Sequence, residues 1–222
     1  MKNHKNKIIK YTTTICFVVF SIPAFCFEAT VQKVYDDLII SIGNNYGGRP
    51  KLEFSNQKKY VAYFSPNNTI TFEKSAFDVC KSLGSDSLNA IAYILAHELG
   101  HHYRDHFWIK EAGSAYASLE IGKSLRDAKS SFDQVREADA DEFACYHTII
   151  AGYNLSDPGP LLKALYKEYE LPEEMPNYPS LSDRISIAKR VKKEASEMAE
   201  VFRCANFALL AKENDLAMRM YG

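Results

Sequence analysis

The stretch HELGHH at residues 97–102 constrains this chain more than any other, because it lies near the end of an apolar run that reads as a buried helix from Asp86 to about Phe107. Leu88, Ile91, Ala92, Leu95 and Leu99 form one apolar stripe, Ala90 and Ile94 fall on a neighbouring face, and Asp86 stands where a cap is expected. A helix that is apolar on more than one face is buried, so its histidines start from inside the protein. His97 and His101 are four residues apart, which on an α-helix separates them by about 40° in direction and about 6 Å in height. Their imidazoles can therefore converge on one ion. A catalytic zinc takes three protein ligands, with histidine nitrogens at about 2.0–2.1 Å, and keeps a fourth position open to water. Glu98 falls beside that open position rather than on the metal, the place of the general base in an H-E-x-x-H helix. The motif alone also admits a blander reading, a polar helix end with solvated histidines, and a third ligand decides between the two.

A second stretch, READADEFACYHTIIAGY from Arg136 to Tyr153, supplies a candidate. Glu137 and Asp141, at i and i+4, share a helix face, whereas Asp139 lies at roughly 200° from Glu137 and suits a solvated surface. Glu137 then reads as the third ligand and Asp141 as the carboxylate that accepts the free N–H of a ligand histidine, fixing its tautomer. This helix is expected from about Phe132 to Ala151, ended by Gly152 and anchored by Val135, Phe143, Tyr146 and Ile150. His102 and His106 repeat the four-residue spacing without an accompanying acid, so a solvated or capping role is expected for them.

Elsewhere, a helical period covers Ala29 to Ile42 and stops at Gly43. KLEFS and YVAYFSPNNTITFE alternate around the turn signal Pro66-Asn67-Asn68 and read as strands of a small antiparallel sheet. A helix follows over Ser75 to Leu83. Residues 108–130 read as a polar, weakly helical connection, LPEEMPNYPS as a loop, and Leu181 to the C-terminus as a helical extension, one long charged helix or a helix pair. Within it, ANFALLAKENDLAMRMYG weakly resembles the start of a tetratricopeptide unit. At 46% hydrophobic and 25% charged residues, the chain is expected to form one domain over 27–222.

The first 26 residues hold Lys2, Lys5, Lys7 and Lys10 with no acid, then an apolar stretch and small residues at Ala24 and Cys26, the pattern of an export signal. Left uncleaved, it would hold the chain near a membrane. The scattered lysines of the remainder exclude a nucleic-acid partner. Cys80, Cys145 and Cys204 are odd in number, which assigns no disulfide framework, and each is expected to be a buried small hydrophobe.

DSLNAIAYILAHELGHHYRDH, the Glu137-x-x-x-Asp141 pair, the step to Tyr153 in AGYN, and YPSLSDRISIAKR together resemble the HtpX-like and CAAX-prenyl-protease-like zinc metallopeptidases, family forty-eight of the gluzincins. The resemblance spans roughly residues 60–190. It implies an α+β, mainly helical zincin-type fold with the small antiparallel sheet next to the zinc helix. It further implies one zinc per chain on His97, His101 and Glu137, with Glu98 catalytic in the hydrolysis of peptide bonds in exported or envelope proteins. Tyr178 stands before Pro179 where the family often has histidine, and either offers its phenol to the reaction's oxyanion or packs. Arg184 matches the family's arginine and is expected to bind a carboxylate near the site. Two alternatives are a non-catalytic zinc-containing envelope chaperone or assembly factor and an ImmA/IrrE-like peptidase; the latter predicts the same ligands but belongs in the cytoplasm.

Overall fold

The computed structural model describes residues 26–43, 48–104, 120–154, 156–174 and 178–221, with the side chains of the helix that begins at Glu120 described from Gln134 onward. Residues 1–25, which hold most of the expected export signal, and His106 lie outside the described residues. Among those described, no helix is long and apolar enough to cross a membrane.

Helix α1 spans Phe27–Ile42 and buries Phe27, Val31, Val34, Tyr35, Leu38 and Ile42, the i, i+3, i+4 spacing of one inward stripe. It starts two residues earlier than its periodicity suggested. Phe27, which the sequence groups with the apolar N-terminal stretch, is a core residue with ring centroids 5.2 Å from both Phe54 and Phe77.

Strands β1 (Lys51–Ser55), β2 (Ala62–Ser65) and β3 (Thr69–Glu73) form a sheet in the order β1-β3-β2. The expected antiparallel hairpin is present between β2 and β3, with Ala62 opposite Phe72 and Asn68 at φ 60 in the turn. The sheet as a whole is mixed rather than antiparallel, because β1 pairs parallel to β3, Lys51 opposite Thr69 through Ser55 opposite Glu73. The segment from Gln57 to Val61 carries the chain past β3, so the first two strands in sequence are not neighbours. As the central strand, β3 is buried at all five positions, the burial expected of a strand covered on both faces.

Helix α2 (Lys74–Ser82) and a single 3₁₀ turn (Gly84–Asp86) lead into α3, Ser87–Tyr103, which is buried without interruption from Ala90 to Gly100. Asp86 does not cap it with its side chain; the carboxylate instead accepts hydrogen bonds from Asn89 Nδ2 at 3.0 Å and Ser156 Oγ at 2.6 Å. Helix α4 runs from Glu120 to Ile150, so part of the expected polar connection is helical. Its inward face is Ala140, Phe143, Ala144, Cys145 and Ile149, with Tyr146 and Ile150 half-buried, whereas Val135, expected as an anchor, is exposed. Gly152, at φ 88, ends the helix as anticipated, with its own N–H on the Ile149 carbonyl and the Tyr153 N–H on that of Thr148.

The sequence reading passed over α5, Pro158–Glu168, although Asp157 caps it through the Gly159 N–H at 2.8 Å and Pro158 occupies the first turn. The C-terminal extension is a pair, α6 (Leu181–Leu210), opened by a Ser180–Asp183 capping box, and α7 (Asn214–Tyr221). Cys80 and Cys145 are buried as expected, but Cys204 is exposed; the four described cysteines are free.

Candidate metal centre

Gly100 lets α3 and α4 meet. A β-carbon there would stand 3.1 Å from the Ala140 Cα and 3.2 Å from the Phe143 Cβ, so only a residue without one permits this approach. The contact lies level with His97 and His101 on one helix and Glu137 and Asp141 on the other. Nε2 of His97 and Nε2 of His101 are 3.2 Å apart. Glu137 Oε2 is 3.3 Å from the former, and Glu137 Oε1 is 3.6 Å from the latter. A tetrahedral ion with bonds of about 2.0–2.1 Å has ligand atoms about 3.3 Å from one another, so the two imidazole nitrogens and the carboxylate, with one oxygen toward each ring, stand close to the edges such an ion requires. Two imidazoles and a carboxylate are a donor set that suits zinc among the first-row divalent metals.

Asp141, fully buried, is the hub behind this cluster. Its Oδ1 accepts from His97 Nδ1 at 2.9 Å, from the Tyr93 hydroxyl at 3.0 Å and from Arg184 Nη2 at 2.7 Å, while Oδ2 accepts from Arg184 Nε at 2.9 Å. A carboxylate only accepts, so His97 carries a proton on Nδ1, and its Nε2 faces His101 and Glu137. The bidentate guanidinium answers the expectation that Arg184 binds a carboxylate near the site. Its Nη1 also donates to the Tyr178 hydroxyl at 3.3 Å, and that hydroxyl donates to Glu137 Oε2 at 2.7 Å. Tyr178 thus restrains the third donor from a place in the lining of the adjoining cavity.

Glu98, the neighbour of His97 on α3, is also buried. Its Oε2 accepts the Phe64 N–H at 2.7 Å, a contact from β2 that leaves Oε1 for other partners. Burial pushes the Glu98 carboxyl up to about 7, with the Glu137 charge adding to the rise against the pull of His97. Burial would also raise Glu137, but the His97 hydrogen bond and the charges of His97, His101 and Arg184 bring it down to about 2. For Asp141 burial is likewise overcome, chiefly by Arg184, and its carboxyl stays well below the usual range. Burial disfavours a charged His97 ring, yet Asp141 and Glu137 hold its pKa up at about 10. The His97 shift shows that Asp141 and Glu137 favour positive charge on the ring between them, whereas the Glu98 shift reflects chiefly its burial.

A cavity of about 300 Å³ opens from this spot, lined on its apolar side by Val61, Ile94, Leu162, Leu165 and Leu171. Val61, at φ 68, is a β-branched residue in the left-handed region, a conformation that costs of order 1–3 kcal/mol and that clusters at functional sites.

All seven residues singled out in the sequence, His97, Glu98, His101, Glu137, Asp141, Tyr178 and Arg184, come together here. Asp139 faces away, as its rotation implied, although it is half-buried with Arg104 Nε at 3.6 Å rather than fully solvated. His102 bonds the Gly48 carbonyl at 2.9 Å and stacks near Phe64, outside the cluster. Two partners were missed. Tyr93 lies four residues before His97, so the spacing that joined the histidines also pointed to it. The Phe64 amide is main chain and leaves no side-chain signal.

Searches of curated proteins and of solved structures returned no match. The model of Peptidase family M48 matches residues 27–156, more than half of the chain, and that span holds both helices bearing the cluster. With its histidines, its acidic helix and their buried hub all inside the matched segment, the chain belongs to Peptidase family M48.

Proposed function

We propose that this metallopeptidase is a zinc-dependent endopeptidase acting on exported or envelope proteins. One observation carries the reading: His97, His101 and Glu137 converge within 4.8 Å of one another beside a buried Glu98, at the inner end of a cavity large enough to admit a peptide segment. His97, His101 and Glu137 would hold the metal. When bound, zinc supplies Lewis acidity, polarising a carbonyl and lowering the pKa of water. Asp141 fixes the His97 tautomer, and Tyr178 limits the rotation of Glu137. Glu98, with Oε2 restrained by Phe64, uses Oε1 to take a proton from the attacking water and return it to the leaving amine. A carboxyl poised near 7 can do both at neutral pH. The apolar wall of α3 and α5 would accept an apolar side chain of the substrate. The basic and then apolar residues 1–26 support export.

The test is metal stoichiometry together with cleavage of a denatured protein, with and without chelator, for the wild type and Glu98→Gln. The wild type should bind one zinc and cleave only when loaded; Glu98→Gln should bind zinc and lose at least about 10²-fold in turnover. Full zinc content without wild-type turnover would instead support a non-catalytic envelope factor, and retained turnover in Glu98→Gln would remove Glu98 from the chemistry.

A further inference from the structure

Glu73 closes β3 and occupies the N-cap position of α2, yet its side chain makes no cap. Its carboxylate is 1% exposed and is spent on the segment leading into β2: Oε1 and Oε2 accept the Lys59 N–H at 3.1 and 2.9 Å, and Oε1 also accepts the Tyr60 N–H at 3.0 Å. Its own backbone N–H donates to the Val61 carbonyl at 3.0 Å. One residue therefore grips three successive positions that end in the left-handed Val61. Three residues further on, the same strand presents the Phe64 amide to Glu98. Burying a carboxylate is costly unless its acceptors are filled, and here backbone amides of this one turn help fill them.

Resting on the peptidase reading above, we infer that Glu73 is a positioning residue for Glu98: by holding Lys59–Val61 in a strained turn, it sets the place of β2 and so of the amide that fixes the Glu98 carboxylate. The coupling runs from the Glu73 carboxylate through the turn to Phe64 N–H and then to Glu98 Oε2. What it demands of residue 73 is reach and acceptor oxygens, not negative charge.

Two substitutions in the full chain separate these demands. Glu73→Gln keeps the length and an acceptor for both amides; Glu73→Asp keeps the charge but withdraws the carboxylate by one methylene. Amide hydrogen exchange of zinc-loaded protein should show Phe64 exchanging about tenfold faster in Glu73→Asp, with core amides of α3 such as Leu95 unchanged and Glu73→Gln close to wild type. In the same order, kcat should fall about 10- to 100-fold in Glu73→Asp with KM held within about twofold. Adding Val61→Gly, which removes the conformational penalty of the turn, should restore part of the lost kcat. Equal Phe64 protection in all three proteins, or a larger loss in Glu73→Gln than in Glu73→Asp, would overturn the proposal. So would a kcat loss accompanied by exchange throughout α3, which would mark Glu73 as a general stabiliser. Absence of cleavage in the wild type would count against the peptidase reading alone, since the exchange comparison needs no turnover.

Discussion

Gly100→Ala is the smallest change that tests how the site is assembled. The new methyl would lie 3.1 Å from the Ala140 Cα and 3.2 Å from the Phe143 Cβ, whereas carbon atoms rest at about 3.5–4.0 Å, so the helices must separate by roughly 0.4 Å or more. The nearer neighbour is main chain and cannot swing aside. Glu137 lies one turn from Ala140 on the same helix and moves with it, away from His97 and His101. Metal–ligand distances tolerate about 0.2 Å, so the displacement exceeds what the donor set can absorb. A loss of about 10–100-fold in metal affinity is expected, the range seen when groups supporting a ligand are removed. Overpacking costs about 1–3 kcal/mol, and replacing a mid-helix glycine by alanine returns about 1 kcal/mol, which leaves a net destabilisation of about 0–2 kcal/mol. Competition with a chromophoric chelator gives the affinity, and thermal unfolding with and without zinc gives the stability. Wild-type affinity in Gly100→Ala, or a rise in stability equal to the propensity gain alone, would show that the close approach does not set the donor geometry.

Asp141→Asn should weaken zinc binding by about 10–100-fold and destabilise the protein by about 3–5 kcal/mol, because it leaves Arg184 buried beside an amide and frees the His97 ring; zinc titration and denaturant unfolding measure both. His147 sits between Phe143 and Tyr146 with its Nδ1 unpartnered among the described residues, and burial followed by Arg104 lowers its pKa to about 4. Because the unfolded ring takes up its proton first, stability should fall as pH drops from about 6.5 toward 4, by on the order of 3 kcal/mol in all, and His147→Leu should flatten that slope in denaturant midpoints measured across the range. Zinc binding should release about one to two protons near neutral pH, since His97 and Glu98 are both raised and the metal takes the place of the protons they hold; calorimetry in buffers of different ionisation enthalpy would return zero if the ligands were already proton-free.

The candidate metal set was legible because all its side chains obey one rule: residues four apart on a helix share a face. That rule joins His97 to His101 and Glu137 to Asp141, and it would have added Tyr93 had the stripe been extended backwards. Features that depend on a partner from elsewhere in the chain were not legible. The role of Gly100 in HELGHH emerges only once Ala140 is opposite it. Glu73 drew no attention in the sequence because nothing local reveals the turn at Lys59–Val61. The direction of β1 escaped because turn signals report only strands joined by a hairpin, and β1 reaches the sheet on the far side of β3. Helix α5 was hidden by its own start, since Asp157-Pro158-Gly159-Pro160 looks like a loop although Asp157 and Pro158 hold standard first-turn positions.

Charge explains why so polar a cluster is tolerated inside the fold. With neutral imidazoles, the site holds three carboxylates, Glu98, Glu137 and Asp141, against the guanidinium of Arg184. Burying uncompensated charge costs several kcal/mol per ion, so two excess negative charges would oppose folding. The hydrogen bonds of Arg184 go to Asp141 and Tyr178, so its charge relieves Glu98 and Glu137 only at longer range. The excess therefore lies with Glu98 and Glu137, on either side of the point toward which the His97 and His101 Nε2 atoms face. Protons can offset it only by charging a buried imidazole or neutralising the carboxyl that serves as base. A divalent cation offsets both charges at once, at donor spacings already met, and leaves Glu98 free to exchange its proton.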